Sequence, residues 1–518
     1  MRRQRSRRAG AECLAPYACL GIVGLSLAAA GCMVGPDHVP PRPDVPAGWV
    51  GPTGRMSLAP EEQAKLVQWW TTFGDPTLNS LVERAVESNL DLREAAARLR
   101  QARAARGIAG ADLRPTVTAT GSFMRSFAGG AGLAGGGGFT GGAPTPHSLF
   151  QVGLDATWEA EVFGGIRRNT EAAQADVQAA IEDRRDVLVT LVAEVGLNYI
   201  DLRGFQQRIA IAQRNLTAQQ HSADIARQRF QVGFVSALDV ANADAQVATT
   251  TATIPLFESA ARQTIYSLSV LLAREPGALV EELSPTAAIP PTPPEVPLAL
   301  PSELLRRRPD IRRAEAQIHA ATARVGVATA DLFPKFSLTG TLGWQSNKLE
   351  SLLNWNNRSW SFGPSGSWTL FDGGRIGSNI DVQKAIQEET LITYQKAVLT
   401  ALQDVENALI AYAKVQENHK ALVDAVAANR KAVDLSTKLY TAGQTDFLSV
   451  LIAQGSLFAS EDALVQATQT LSTDLVALYK ALGGGWEDEA AAALSRAAAE
   501  AAAPAPASKP EPAARPKK

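Results

Sequence analysis

Five histidines and three cysteines are the side chains of this 518-residue chain best suited to hold a metal or attack a carbonyl. Their spacing serves neither purpose. His38, His147, His221, His319 and His419 stand far apart, none with a second His or Cys at metal-ligand spacing. No serine occupies a Gly-x-Ser-x-Gly turn, and no P-loop is present. The run Gly135 to Gly138 lacks the Lys and Ser/Thr of a phosphate cradle and reads as an outer loop. Asp372, followed by Gly373 and Gly374, reads as a strand-to-helix hinge rather than an acid catalyst. The cluster Arg306, Arg307, Arg308, Arg312 and Arg313 is interleaved with Asp310 and Glu315 at a helix start, which fits an ion-paired surface. A net charge of -2 gives no electrostatic footprint for nucleic acid. The expectation is a non-enzyme without metal, cofactor or nucleic-acid partner.

Arg2, Arg3, Arg5, Arg7 and Arg8 precede an apolar stretch from Leu20 to Ala30, the pattern of a secretory signal over residues 1–31. The apolar stretch is too short for a comfortable bilayer span. Cys13 and Cys19 lie within the signal, which leaves Cys32 as the one cysteine of the processed chain and allows no internal disulfide. Ala29-Ala30-Gly31-Cys32 resembles the bacterial lipobox. That resemblance implies cleavage before Cys32, acylation of its thiol and, with Met33 following rather than Asp, residence at the outer membrane. No later segment has 18 continuous apolar residues, so a membrane span would have to be a closed β-barrel.

The body of the chain repeats itself. Asp91, Arg93, Ala95, Gly107, Asp112, Pro115 and Gly121 recur 219 residues later as Asp310, Arg312, Ala314, Gly326, Asp331, Pro334 and Gly340. Beyond a Gly-rich stretch at residues 129–142 the interval becomes 210, matching Trp158 with Trp368, Gly233 with Gly443 and Leu238 with Leu448. Two copies of one unit therefore span residues 76–275 and 303–485, joined by a Pro-rich linker at 276–302. A Pro-rich segment at 32–75 precedes them, expected to run extended from the anchor along the barrel, with Trp69, Trp70, Phe73 and Asp75 packing it onto helices. An Ala/Pro/Lys tail at 486–518 reads as disordered.

Each unit predicts a helix, two strands, a long helix and a returning helix. Strict alternation predicts strands near 115–127, 148–160, 334–345 and 359–371. Phe336, Leu338, Leu342 and Trp344 share one face, with Ser337, Thr339 and Thr341 on the other. Such a two-faced wall suits lipid outside and water inside, or a soluble hairpin with one buried face. Trp158 and Trp368 close their strands where an aromatic girdle would lie; Pro115, Pro334, Gly164, Gly165, Gly373 and Gly374 mark strand–helix hinges.

Residues 167–231 contain no Pro and predict a helix of about 98 Å at ~1.5 Å per residue. Its counterpart spans about 375–441. Both carry a heptad seam, Val177, Ile181, Arg184, Leu188, Leu191, Val195, Asn198, Leu202, Phe205, Ile209, Ala212, Leu216 in the first and Tyr394, Val398, Ala401, Val405, Ala408, Tyr412 in the second. Gly233 and Gly443 are expected helix stops. Ser236 is the expected cap of the first returning helix, and Asp239 and Asp446 mark its start and its counterpart's. These turns are expected roughly 100 Å from the barrel.

One chain then supplies four strands, too few to close a barrel, whose smallest membrane form has ~8. Two chains would give eight and three twelve, and a conduit requires the wider ring. The stretches Leu304 to Glu315, Gly326 to Pro334 and Trp368 to Arg375, with Val232-Gly233 and Leu238-Asp239-Val240, resemble signatures of the TolC-like outer-membrane factors, in the OprM or NodT branch. The resemblance covers about residues 32 to 485. It implies a mixed α/β membrane protein with two tandem repeats of strands and coiled-coil helices. Three chains would form a homotrimer with a twelve-stranded barrel and a twelve-helix periplasmic tunnel. It implies a passive efflux duct in outer-membrane lipid, docked to a periplasmic adaptor and an inner-membrane pump of the resistance-nodulation-division type. It also implies tip carboxylates facing the lumen. Asp239 occupies the first-turn position, while Ser449 and Ile452 replace second-turn carboxylates, leaving Asp446 as substitute; an Asp at a helix start equally serves as a cap. Two other classes keep the same architecture in part: a type I protein-secretion duct and a coiled-coil lipoprotein without a pore.

Overall fold

The structure, a computed structural model, describes residues 33–51, 66–127, 146–292, 301 and 306–486. The signal segment, Cys32, the Gly-rich run at 129–142 and the tail after Trp486 lie outside the described residues. The elements run in the predicted order. They are α1 (Pro76–Ser88), α2 (Leu90–Ala111), β1 (Thr116–Ser126), β2 (His147–Ala160), α3 (Gly165–Gln231), α4 (Ala237–Leu271), α5 (Val280–Leu283), α6 (Pro309–Ala330), β3 (Lys335–Ser346), β4 (Arg358–Ser367), α7 (Arg375–Thr441) and α8 (Phe447–Ala481). The two long helices have 67 residues each and the two returning helices 35 each, so the repeat read from the sequence is kept in element length.

Contacts divide the chain into two compact units. The first holds the described residues up to Arg42, with Arg98–Ala180 and Ala314–Tyr394. At its heart is one antiparallel sheet in the order β1-β2-β3-β4. Thr116 stands opposite Thr157 in the first hairpin and Lys335 opposite Ser367 in the second. These are the same register one repeat apart. Between the hairpins, Leu154 faces Leu342 and Asp155 faces Thr341. Trp158 lies within β2 and Trp368 one residue past the end of β4, so neither is the last residue of its strand.

The segment entering this unit is a strap. Val34 N–H donates to Phe163 O at 3.2 Å. Arg168, almost wholly buried, donates to Val34 O, Asp37 and Glu171. Gly35 crosses Gly326 so closely that a Cβ on Gly35 would lie 2.5 Å from Gly326 Cα. Over Val34 to Asp37 the strap is bonded to the junction of β2 with α3 and to the Arg168 side chain, and crosses α6 at Gly326; further on, Val50 and Gly51 N–H donate to the Glu406 carboxylate in the middle of α7.

The second unit holds Pro43–Ala97, Ile181–Arg313 and the chain from Gln395. Trp69 is 1 % exposed, stacked on Tyr479 at 5.5 Å and against Gly196, where a Cβ would meet the indole at 3.0 Å. Asp75 caps α1 through Thr77 and Leu78 N–H and accepts from Tyr199 Oη at 2.6 Å. Burial, with the Asp75 carboxylate beside it, pushes the Tyr199 hydroxyl up to about 12. Burial of Trp69, Phe73, Leu78 and Leu81 contributes about 1.5–3 kcal/mol each for the aliphatic and Phe side chains. The basic cluster is ion-paired as expected: Arg308 with Asp310 and Asp404, Arg312 with Glu182, Arg313 with Asp183 and Asp186.

The seam differs from the count in its last third. Val177, Leu188, Leu191, Val195, Leu202 and Ala212 are buried, but past Ala212 the buried positions are Asn215, Gln219, Ser222, Ala223 and Ala226, with Leu216 at the margin. A straight α-helix drifts from a strict 3.5 repeat, so a heptad count carried through nine turns leaves the buried face. Among the described residues one helix, α8, is long and apolar enough on average to cross a membrane. It carries Glu461, which accepts from Asn215 and Arg430, and Asp462, which takes both nitrogens of Arg208. Those ion pairs assign α8 to the coiled coil.

Candidate functional site

In the first unit the sheet has two chemically distinct faces. On one, hydroxyls and amides bond from strand to strand: Thr120 to Asp155, Ser122 to Gln151, Gln151 to Gln345, Thr341 to Ser361 and Ser337 to Ser365. On the other, Phe123 packs on Phe150 at 4.7 Å, and Leu154, Leu342, Trp360 and Phe362 stand exposed. A sheet exposing large apolar groups on one face and a hydrogen-bonded polar lattice on the other separates an apolar medium from water. Trp158 Nε1 donates to Leu113 O at 3.1 Å and Trp368 Nε1 to Leu332 O at 3.0 Å. Both indoles thus tie a strand end to the residue two before Pro115 or Pro334, each of which directly precedes its strand.

The hinges work by backbone conformation. Gly164, Gly373 and Gly374 have φ of +82°, +70° and +89°, which other residues rarely adopt. Gly165 is the first residue of α3 and has no such requirement; a Cβ there would meet Ala330 at 3.1 Å. Asp372 accepts from Ile376 and Gly374 N–H, and these amides hold its carboxyl below its ordinary value.

In the second unit the two turns are built alike. α3 ends at Gly233 (φ +78°) and α7 at Gly443 (φ +75°). Phe234 N–H returns to Arg229 O and Gln444 N–H to Leu439 O, closing a Schellman motif in each. Ser236 caps α4 in a capping box, with Asp239 accepting from the Ser236 N–H and hydroxyl at 3.0 Å. Asp446 caps α8 by accepting from Ser449 N–H at 3.0 Å and Ser449 Oγ. The Ser449 bonds hold the Asp446 carboxyl below its ordinary value. Both carboxylates are engaged locally, each within its own turn.

Two features escaped the sequence reading. Arg229 donates to Tyr440 O at 2.7 Å and Thr441 O at 2.8 Å, and its guanidinium lies 4.4 Å from the Tyr440 ring centre. It ties the turn of one repeat to the turn of the other. Its only sequence signal was a basic residue in the last turn of a helix, where free carbonyls gather. The second is the buried polar stripe: Ser222 accepts from Gln454 Nε2 at 2.8 Å, and Asn215 donates to Glu461. Beside the turns, Ala223, Ala226, Ala243, Tyr440, Phe447 and Val450 form a small core. A cavity of about 1070 Å³ opens over it, edged by Arg229, Phe234, Asp239 and Asp446. Phe234 is 81 % exposed.

The sequence profile of the family described as outer membrane efflux protein matches residues 81–274 and 300–484, the two repeats. The chain belongs to that family. Within it, the pyoverdine export outer membrane protein OpmQ of Pseudomonas aeruginosa is 34% identical over 476 residues, covering 91% of this chain and 98% of that protein. Nodulation protein T of Rhizobium leguminosarum bv. trifolii is 31% identical over 469 residues, covering 90% and 98%. Among solved structures, the outer-membrane channel OprN superposes with a TM-score of 0.81 at 38% identity, covering 88% of this chain and all of that one. An outer membrane efflux protein has its place in the outer membrane, and the two-faced sheet is the part of this chain suited to lie there.

Proposed function

We propose that this protein is the outer-membrane exit duct of a tripartite efflux system, passing small molecules passively from the periplasm to the outside. The observation that carries this reading is the four-stranded sheet with one apolar and one hydrogen-bonded polar face and two unpaired edges. Unpaired edges are not tolerated in lipid, so copies must join edge to edge into a closed barrel. Three copies supply twelve strands around a lumen and, from two long and two returning helices each, twelve helices around a tunnel. Cys32 is the acylated anchor. A periplasmic adaptor and an inner-membrane pump complete the system, supported by the kinship with the export protein OpmQ. The turns at Gly233, Ser236, Asp239, Gly443 and Asp446 form the constricted mouth, and Arg229 braces it.

Native mass and single-channel conductance of the purified protein in a planar bilayer test this reading. A trimeric mass with small conductance that rises in Asp239→Ala supports it. A protein of trimeric mass that conducts under no voltage leaves a lipid-anchored scaffold instead.

A further inference from the structure

Two strand–helix junctions, one from each repeat, meet around a hollow in the first unit. β2 ends at Ala160 and α3 begins at Gly165; α6 ends at Ala330 and β3 begins at Lys335. Between them lies a cavity of about 290 Å³, walled by Val162, Phe163, Ile166, Val327, Ala330 and Pro334. In liquid terms that is the space of roughly ten waters. Phe163 stacks on Phe333 at 4.7 Å, one ring from each repeat, and holds the two junctions together. Gly165 allows the close approach on the other side, since a Cβ there would meet Ala330 at 3.1 Å.

The polar residues of this cavity are engaged with one another or open to solvent. Lys335 holds Asp331 at 2.9 Å. Glu161 accepts from Arg167 Nε at 3.2 Å and from the Ile166 N–H. Glu159 and Asn169 also line the cavity, and both are exposed. A charged ligand would compete with the pairs already formed. Hydrocarbon gains by leaving water and displaces none of them.

The described chain begins on this same wall. Val34 N–H donates to Phe163 O at 3.2 Å. Met33 lies against Gly164, where a Cβ would come within 2.9 Å of Met33 Cγ. Cys32 is the next residue along, one peptide unit or about 3.8 Å between Cα atoms from Met33. We infer that one acyl chain on Cys32 lies in this cavity for part of its length before it enters the bilayer. This rests on the acylation of Cys32 proposed above. A chain that starts beside Gly164 meets the apolar wall within its first few carbons, and the wall shields it from water there. The anchor then does more than tether the protein: it fills the place where sheet gives way to helix. The competing course runs directly onto the apolar face of the sheet, past Leu154 and Trp360, which are exposed.

A palmitate analogue with a mid-chain diazirine, fed to cells making the full-length protein, tests this. After irradiation the protein is purified and digested, and its adducts are located by mass spectrometry. Adducts are expected on Phe163, Ile166 or Val327, and they should disappear in Cys32→Ser. A labelled protein whose adducts fall only on the sheet face, at residues such as Leu154 and Trp360, or that forms none, overturns the cavity assignment and leaves the acylated anchor standing. Cavity adducts that persist in Cys32→Ser come from a separate lipid and overturn Cys32 as their source. A protein that carries no label before irradiation overturns the acylation and this inference together. Val327→Trp fills the space and should lower the cavity adducts several-fold at unchanged native mass; an equal yield at Phe163 in that variant also overturns the assignment.

Discussion

Arg229, in the last turn of α3, donates both terminal nitrogens to the carbonyls of Tyr440 and Thr441, in the last turn of α7, and stacks on the Tyr440 ring. Two helices of different repeats are thereby joined at their ends by one side chain. Carbonyls at a helix C-terminus have no partner within the helix, and a guanidinium offers two parallel donors to them. The brace can be broken without disturbing either Schellman turn, since those use backbone groups alone.

Replacing Arg229 by Ala is therefore expected to loosen the turns while leaving both helices formed. Hydrogen bonds from a charged donor contribute about 1.5–3 kcal/mol, more than enough to shift a closed-to-open equilibrium tenfold. Open probability in single-channel recordings should rise in Arg229→Ala and stay near the parent value in Arg229→Lys only if one donor suffices. An unchanged open probability in Arg229→Ala would remove the brace from the gate.

The strap should release in acid. His38 stacks on His319 at 4.4 Å, with Glu171 and Arg168 of α3 and Asp37 of the strap as the charged groups around it. Burial and the neighbouring His319 hold the His38 imidazole below its ordinary 6.5, against a smaller opposite pull from Glu171. The undocked strap then binds more protons than the docked one, so docking is fully favoured above about 6.5 and weakens as pH falls through the lowered value. Protection of the Val34 amide against hydrogen exchange should drop across that window. In His38→Phe the drop should vanish; persistence would assign the acid response to other groups.

Gly35 should tolerate no side chain. Its φ of +89° and the 2.5 Å approach of a Cβ to Gly326 combine strain with a backbone clash that no rotamer relieves. Gly35→Ala is expected to free the strap, seen as rapid exchange at Val34 and early protease cleavage after Arg42. Protection equal to the parent's would show that the crossing is not needed for docking.

Trp158→Phe and Trp368→Phe should cost about the same, roughly 0.5–1.5 kcal/mol each, because each removes one indole–carbonyl bond and keeps the ring. The double variant should cost about the sum of the two singles. Urea or heat midpoints of the purified protein measure this. A large loss from one tryptophan alone would break the equivalence of the two repeats at these strand ends.

Much of this was legible in residue types. Alternation alone located all four strands to within a few residues, since period two needs no knowledge of what lies on either side. The constant intervals of 219 and 210 between matching residues made the two-fold repeat visible, and the glycines and serines of the turns told where the long helices stop. The family resemblance added the ring and the membrane, and the comparisons agree on the family.

Other features required three dimensions. The strap's crossing of Gly326, the Arg229 brace and the Trp158 and Trp368 bonds join residues between 36 and 291 positions apart, and spacing along a chain says nothing about such meetings. The buried stripe of Asn215, Gln219 and Ser222 was hidden for a related reason. Heptad reading assigns burial by phase and apolarity together, and here the phase turns polar residues inward, where Glu461 and Gln454 on α8 bond Asn215 and Ser222. Local periodicity thus determined which elements form and where they end; packing decided which face each helix buries, because that choice depends on partners brought from elsewhere in the chain.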